Sequence, residues 1–141
     1  MKTKLITLFL LLLVTISYCQ KKYDDLEIAK KEAEVSNKNI LIILTGSDWC
    51  KPCIKMEKNV IENNEFIEYA NQNLILFEIN LPRHLDYDSK IVKNYIYLRD
   101  KYQTNSLPSL ILVNSEGKEI TKISNGLSSL EKVMKELKLH K

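Results

Sequence analysis

The amino-acid sequence predicts an α/β protein: a four-stranded mixed sheet in the order β-α-β-α-β-β-α, with an extra N-terminal helix before it. Three observations predict this. Apolar runs over residues 40–45 and 74–80 are continuous rather than alternating, as in strands covered on both faces. Segments with apolar residues at helical spacing lie between and around them. A third apolar run, residues 109–113, leads through the turn Asn114-Ser115-Glu116-Gly117 into an alternating segment, residues 118–124. That is the pattern of a hairpin ending in an edge strand.

Each element has its own signal. Leu26, Ala29, Ala33 and Val35, with charges between them, predict the first helix to about Asn37, and Asn37-Lys38-Asn39 breaks it. After the first strand, Gly46-Ser47-Asp48 is a loop with N-capping residues. The next helix starts near Cys50 and carries Ile54, Met56, Val60 and Ile61. Asn63-Asn64 interrupts it, and residues 65–72 resume it with Phe66, Ile67 and Ala70. Residues 81–88 are loop, with Pro82 as breaker. Ser89 caps a helix with Ile91, Val92, Tyr95, Leu98 and Tyr102 at helical spacing; Tyr95, Tyr97 and Tyr102 read as packing against the sheet. The closing helix, residues 127–139, places Leu130, Val133, Met134 and Leu137 on one face. Lys132, Lys135 and Lys138 read as a solvated face.

The 141 residues suit one domain, residues 20–141, behind a leader, residues 1–19. Met1-Lys2-Thr3-Lys4 is basic, residues 5–16 are almost wholly apolar, and Ser17-Tyr18-Cys19 is a small-to-polar exit, the layout of a secretory signal peptide. The apolar run is shorter than the ~20 residues a spanning helix needs. Cleavage after Cys19 competes with lipidation of Cys19; Tyr18 is bulky for a lipobox, which favours simple cleavage. Losing two leader lysines lowers the net charge from +3 to +1, so nucleic-acid binding is not expected. One cysteine leaves as well, and the two that remain are Cys50 and Cys53. An exported protein with a single dithiol is no disulfide-stapled scaffold, which leaves the pair free for chemistry. A bacterial envelope, the periplasm, fits this leader best.

Trp49-Cys50-Lys51-Pro52-Cys53 puts that dithiol where a strand gives way to a helix N-terminus. Free backbone N–H groups and the helix dipole there favour thiolate over thiol. Cys50 is the candidate nucleophile, in a motif whose thiols reach pKa values of about 3.5–7.5. Cys53, one turn on, would resolve the mixed disulfide. Lys51 either lowers the thiol pKa further or is a screened surface charge. Zinc would need about four ligands, and only His84 and His140 could join the cysteines, so neither a metal nor another cofactor is expected.

The element order, the Trp-Cys-x-x-Cys after the first core strand and Leu107-Pro108-Ser109 before the third strand resemble the thioredoxin superfamily. Residues 44–50, Leu-Thr-Gly-Ser-Asp-Trp-Cys, and 77–83, Phe-Glu-Ile-Asn-Leu-Pro-Arg, look like exported bacterial thioredoxin-like proteins. These are similar to the C-terminal domain of the thiol:disulfide interchange protein. The resemblance implies a redox-active Cys50–Cys53 disulfide and a cis Pro108 beside it. It also implies backbone at Leu107 for pairing with an extended substrate. Three departures stand out. Leu44 replaces a buried aspartate, Lys51-Pro52 replaces Gly-Pro, and Leu107 replaces isoleucine.

Trp49 reads as a flat apolar wall beside Cys50 or as a plain core aromatic. Glu78 interrupts the second apolar run. It either takes the Cys53 proton in place of the missing aspartate or faces solvent at a strand end. The expected function is exported thiol–disulfide oxidoreductase, leaning to reductase. Protein disulfides would be its substrates and a membrane protein its electron donor, and the chain would act as a monomer. A thioredoxin-fold binding or chaperone module with a regulatory or structural dithiol is the alternative, and a metallochaperone is disfavoured by the shortage of ligands.

Overall fold

The computed structural model describes residues 20–140. The expected signal peptide and Cys19 lie outside them. The elements are β1 (Lys22–Tyr23), α1 (Leu26–Ser36), β2 (Asn39–Thr45), α2 (Lys51–Met56), α3 (Asn64–Asn73), β3 (Leu74–Asn80), α4 (Lys90–Lys101), β4 (Ser109–Val113), β5 (Glu119–Ile123) and α5 (Leu130–Leu139). A π-helical turn, Glu57–Ile61, continues α2. The sheet has five strands in the order β1-β3-β2-β4-β5. β1 and β2 both pair parallel with β3, while β4 pairs antiparallel with β2 and β5 antiparallel with β4.

The four-strand count is therefore corrected. β1 has two residues and carries no apolar run, so periodicity could not reveal it. Its presence also changes the standing of α1, which connects two strands of the sheet rather than preceding it. Asp25 caps that helix by accepting from the backbone N–H groups of Glu27 (3.0 Å) and Ile28 (3.2 Å). Asn37 ends it in the left-handed region at φ 52°. Ala29 and Ala33 are fully buried, but Val35 is 86% exposed and does not belong to the packed face.

Alternation along β2 divides the core between the two faces of the sheet. Leu41 and Ile43 pack with Met56, Val60, Phe66, Val133 and Leu137, under α2, α3 and α5. Ile40, Ile42 and Leu44 pack with Ala29, Ala33, Phe77, Val92 and Leu98, under α1 and α4. Helices cover both faces, so β2 is buried along nearly all its length and its continuous apolar run is explained. Of the tyrosines on α4 and just after it, Tyr102 is buried and donates its hydroxyl to Gly117 O at 2.9 Å. Tyr95 is half-buried, whereas Tyr97 is exposed and does not pack on the sheet. The closing helix starts at Leu130 rather than residue 127, because Ser129 caps it through Lys132 N–H.

Candidate functional site

The site grows from the C-terminal end of β2. There the chain leaves the sheet through Gly46-Ser47-Asp48-Trp49 and enters α2. The loop is held to the end of β3. Asn80 accepts from Ser47 N–H (2.9 Å) and donates to Ser47 Oγ (2.5 Å), and Leu81 N–H donates to Thr45 O (2.8 Å). Ser47 thus braces the loop and caps nothing. The α2 N-cap is Cys50 itself, in extended conformation, whose Sγ accepts from Cys53 N–H at 3.3 Å. A sulfur that accepts a backbone N–H at a helix N-terminus is stabilised as thiolate.

Cys50 and Cys53 are joined in a disulfide with a Cα–Cα distance of 5.2 Å. Their exposures differ. Cys50 is 8% exposed and Cys53 is fully buried. Cys50 is therefore the more accessible sulfur of the pair. Lys51 and Pro52 are both exposed on the first turn of α2.

Trp49 is half-buried and donates its indole N–H to Leu81 O at 2.8 Å. A Cβ added to Gly46 would lie 2.7–2.9 Å from three indole ring atoms, so glycine there lets the ring lie flat on the loop. The Leu107–Pro108 peptide is cis. Leu44 pairs with Ser109, which brings Pro108 to the end of β2 that carries the dithiol loop. Pro108 is buried and Leu107 half-buried. Ser109 Oγ donates to Ser106 O (2.6 Å), so Thr104 Oγ1 must be the donor in its 2.7 Å bond to Ser109 Oγ; the connection is fixed at both ends.

Leu44 is fully buried on the α1 and α4 face and offers no ionisable group there. Glu78 lies on the opposite face. It shares that face with Leu76 and Leu74, two and four residues back, which pack with Met56 of α2. Its side chain is 17% exposed, so it does not face open solvent at the strand end. It forms an ion pair with Lys22 Nζ at 2.6 Å, and the same ammonium holds Glu57 Oε1 at 2.7 Å. Burial lowers the Lys22 pKa, but hydrogen bonds and charge from Glu57 and Glu78 raise it by more, so it sits above the ordinary lysine value. Sequence reasoning missed Lys22 and Glu57. Glu57 carried a usable signal, standing four residues after Cys53. Lys22 carried none, because nothing in the sequence reveals the pairing of β1 with β3. His84 is exposed in the 81–88 loop, and His140 ends α5, where its backbone carbonyl accepts from Asn39 Nδ2 (3.4 Å).

The family model described as a thioredoxin-like domain matches residues 26–141. The chain belongs to the thioredoxin-like family. Among curated relatives, this thioredoxin-like chain is 35% identical over 95 residues to the thioredoxin-related protein DsbJ of Chlamydia pneumoniae. That match covers 67% of the chain and 26% of DsbJ, so the chain spans about a quarter of that relative's length. It is 28% identical over 115 residues to the disulfide bond reductase DsbH of the same organism, covering 79% of the chain and 69% of DsbH. A solved DsbH oxidoreductase superimposes with a TM-score of 0.76 at 22% identity, covering 89% of the chain and 88% of that structure. A thioredoxin from Thermus thermophilus gives 0.64 at 13% identity, covering 84% and 85%. The two superpositions establish the thioredoxin fold.

Proposed function

We propose that this chain is an exported thiol–disulfide oxidoreductase that works as a reductase on protein disulfides. One observation carries the reading. Cys50 and Cys53 form a disulfide at the N-terminus of α2, and the nearly buried Cys50 sulfur accepts the Cys53 N–H. The kinship with a disulfide bond reductase supports the direction. The basic and apolar leader supports export to a bacterial periplasm, and a reductase there draws electrons from a membrane donor. The chain acts as a monomer in this reading.

In the reductive half-reaction the Cys50 thiolate attacks one sulfur of a substrate disulfide and expels the other as thiolate. Cys53, as thiolate, then attacks Cys50 Sγ. The Cys50–substrate bond breaks, the Cys50–Cys53 bond forms, and the substrate leaves reduced by two electrons. Trp49 provides the apolar wall, Lys51 a positive charge and Pro52 the early helical backbone. Leu107 and Pro108 line the substrate's approach with backbone. Glu78, through its ion pair with Lys22, supplies negative charge to the α2 face.

The reduction potential tests the reading, measured by equilibrating the purified chain with glutathione or dithiothreitol buffers. A value nearer thioredoxin's, about −270 mV, is expected. A value toward about −120 mV would make the protein an oxidant and reverse the direction. Absence of a reversible two-electron couple would remove the oxidoreductase assignment altogether.

A further inference from the structure

The outer face of α2 and of the π turn behind it carries a row of lysines that leads away from Cys50. Lys51, Lys55 and Lys58 stand at i, i+4 and i+7, the spacing of one helix face, and all three are exposed. None of them enters an ion pair among the described residues. Within the helix itself the row is unfavourable. Like charges one turn apart repel. Lys51 also stands on the first turn, where the helix dipole disfavours a cation. That turn holds no acidic residue, and Glu57 is taken up by Lys22. Asp48 and Glu62 are exposed beyond the two ends of the row. Ile54 lies within the row and is 44% exposed, and with Ser47, Lys58 and Glu62 it borders an open groove. A local rule broken without gain inside the fold points to a gain outside it.

We propose that this face docks acidic segments flanking the substrate disulfide. The inference rests on the reductase reading above and deepens it by naming a substrate class. A helix rises 1.5 Å per residue, so Lys55 and Lys58 stand about 7–12 Å along the axis from Cys50. An extended substrate advances about 3.3 Å per residue. Aspartate or glutamate about two to four positions from the substrate cysteine therefore falls opposite the two ammonium groups. An apolar side chain beside them covers Ile54. The lysines act before sulfur chemistry starts. They raise the encounter rate of an acidic partner and hold its disulfide at Cys50, and they repel a basic partner. The exchange that follows is the one already described, with Cys50 and Cys53 oxidised and the substrate disulfide reduced.

Three peptides test this, each with one cysteine disulfide-bonded to neutral 2-mercaptoethanol. They carry aspartate, serine or lysine at the second and fourth positions from the cysteine. Each rate of reduction by the reduced chain is divided by the rate with dithiothreitol, which removes the peptide's own reactivity. At low salt the aspartate peptide should react about 10-fold faster than the lysine peptide, with the serine peptide between them. The gap should close at about 1 M salt, where the screening length falls to about 3 Å. Lys55→Glu combined with Lys58→Glu should invert the order and leave reduction of neutral 2-hydroxyethyl disulfide at the parent rate. Equal rates for the three peptides at low salt overturn the proposal. Equal slowing of every substrate in the double variant, 2-hydroxyethyl disulfide included, also overturns it, because the lysines then act on the Cys50 thiol and not on the partner. If the parent chain fails to reduce even 2-hydroxyethyl disulfide, the oxidoreductase reading fails first and carries this inference with it.

Discussion

At the scale of single residues, the site depends on small steric and electronic decisions. Gly46 is the sharpest. Its position against the Trp49 ring leaves no room for a methyl group, and the indole is pinned by its bond to Leu81 O. Gly46→Ala is expected to break that bond and to cost about 1–3 kcal/mol through overpacking. Trp49 is the sole tryptophan, so its fluorescence reports the displacement directly, and urea unfolding gives the stability loss. An unchanged emission spectrum would show that the loop yields instead. Of the site residues, the cysteines, Trp49 and Pro108 were legible in the sequence because each belongs to a short motif. Glu78 was legible as a charge in an apolar run, but which face it took depended on sheet alternation.

At the scale of elements, the short β1 strand does more than extend the sheet. It carries Lys22 to the two carboxylates on β3 and on the π turn after α2. Lys22→Met would leave two half-buried carboxylates facing one another. The expected cost is about 1–3 kcal/mol, below the ~3–5 kcal/mol of fully buried pairs because the Lys22 side chain keeps some contact with water. The pH dependence has a definite sign. The folded pKa of Lys22 lies above its unfolded value of 10.5, so the ion pairs stabilise fully below that value and are lost as pH rises through the folded one. Chemical denaturation between pH 9 and about 12 should therefore show a steeper alkaline loss in the parent than in Lys22→Met. Parallel curves would show that Lys22 contributes no linked stability.

At the scale of the whole molecule, two cores share one sheet and the dithiol sits at its end. Phe66 on α3 packs against one face and Phe77 on β3 faces the other; both are fully buried. Each, changed to alanine, is expected to cost about 3–5 kcal/mol. Because the two rings belong to separate clusters on opposite faces of the sheet, the double variant should lose the sum to within about 0.5 kcal/mol. Urea unfolding of the two single variants and the double variant decides this. A double loss well short of the sum would mean that the sheet transmits relaxation between its faces.

The sequence by itself determined the α/β class, the order of β2 to α5, the hairpin and the placement of Cys50 and Cys53 at a helix start. These follow from local periodicity, turn chemistry and motif spacing, each written within a few residues. Only the tertiary structure decided the fifth strand, the exposure of Val35 and Tyr97, and the company that Glu78 keeps. β1 is too short to have a period, and Lys22 lies 35 residues from Glu57 and farther still from Glu78. A cluster of charges from three separate elements exists only once parallel pairing and helix docking have brought them to one sheet edge.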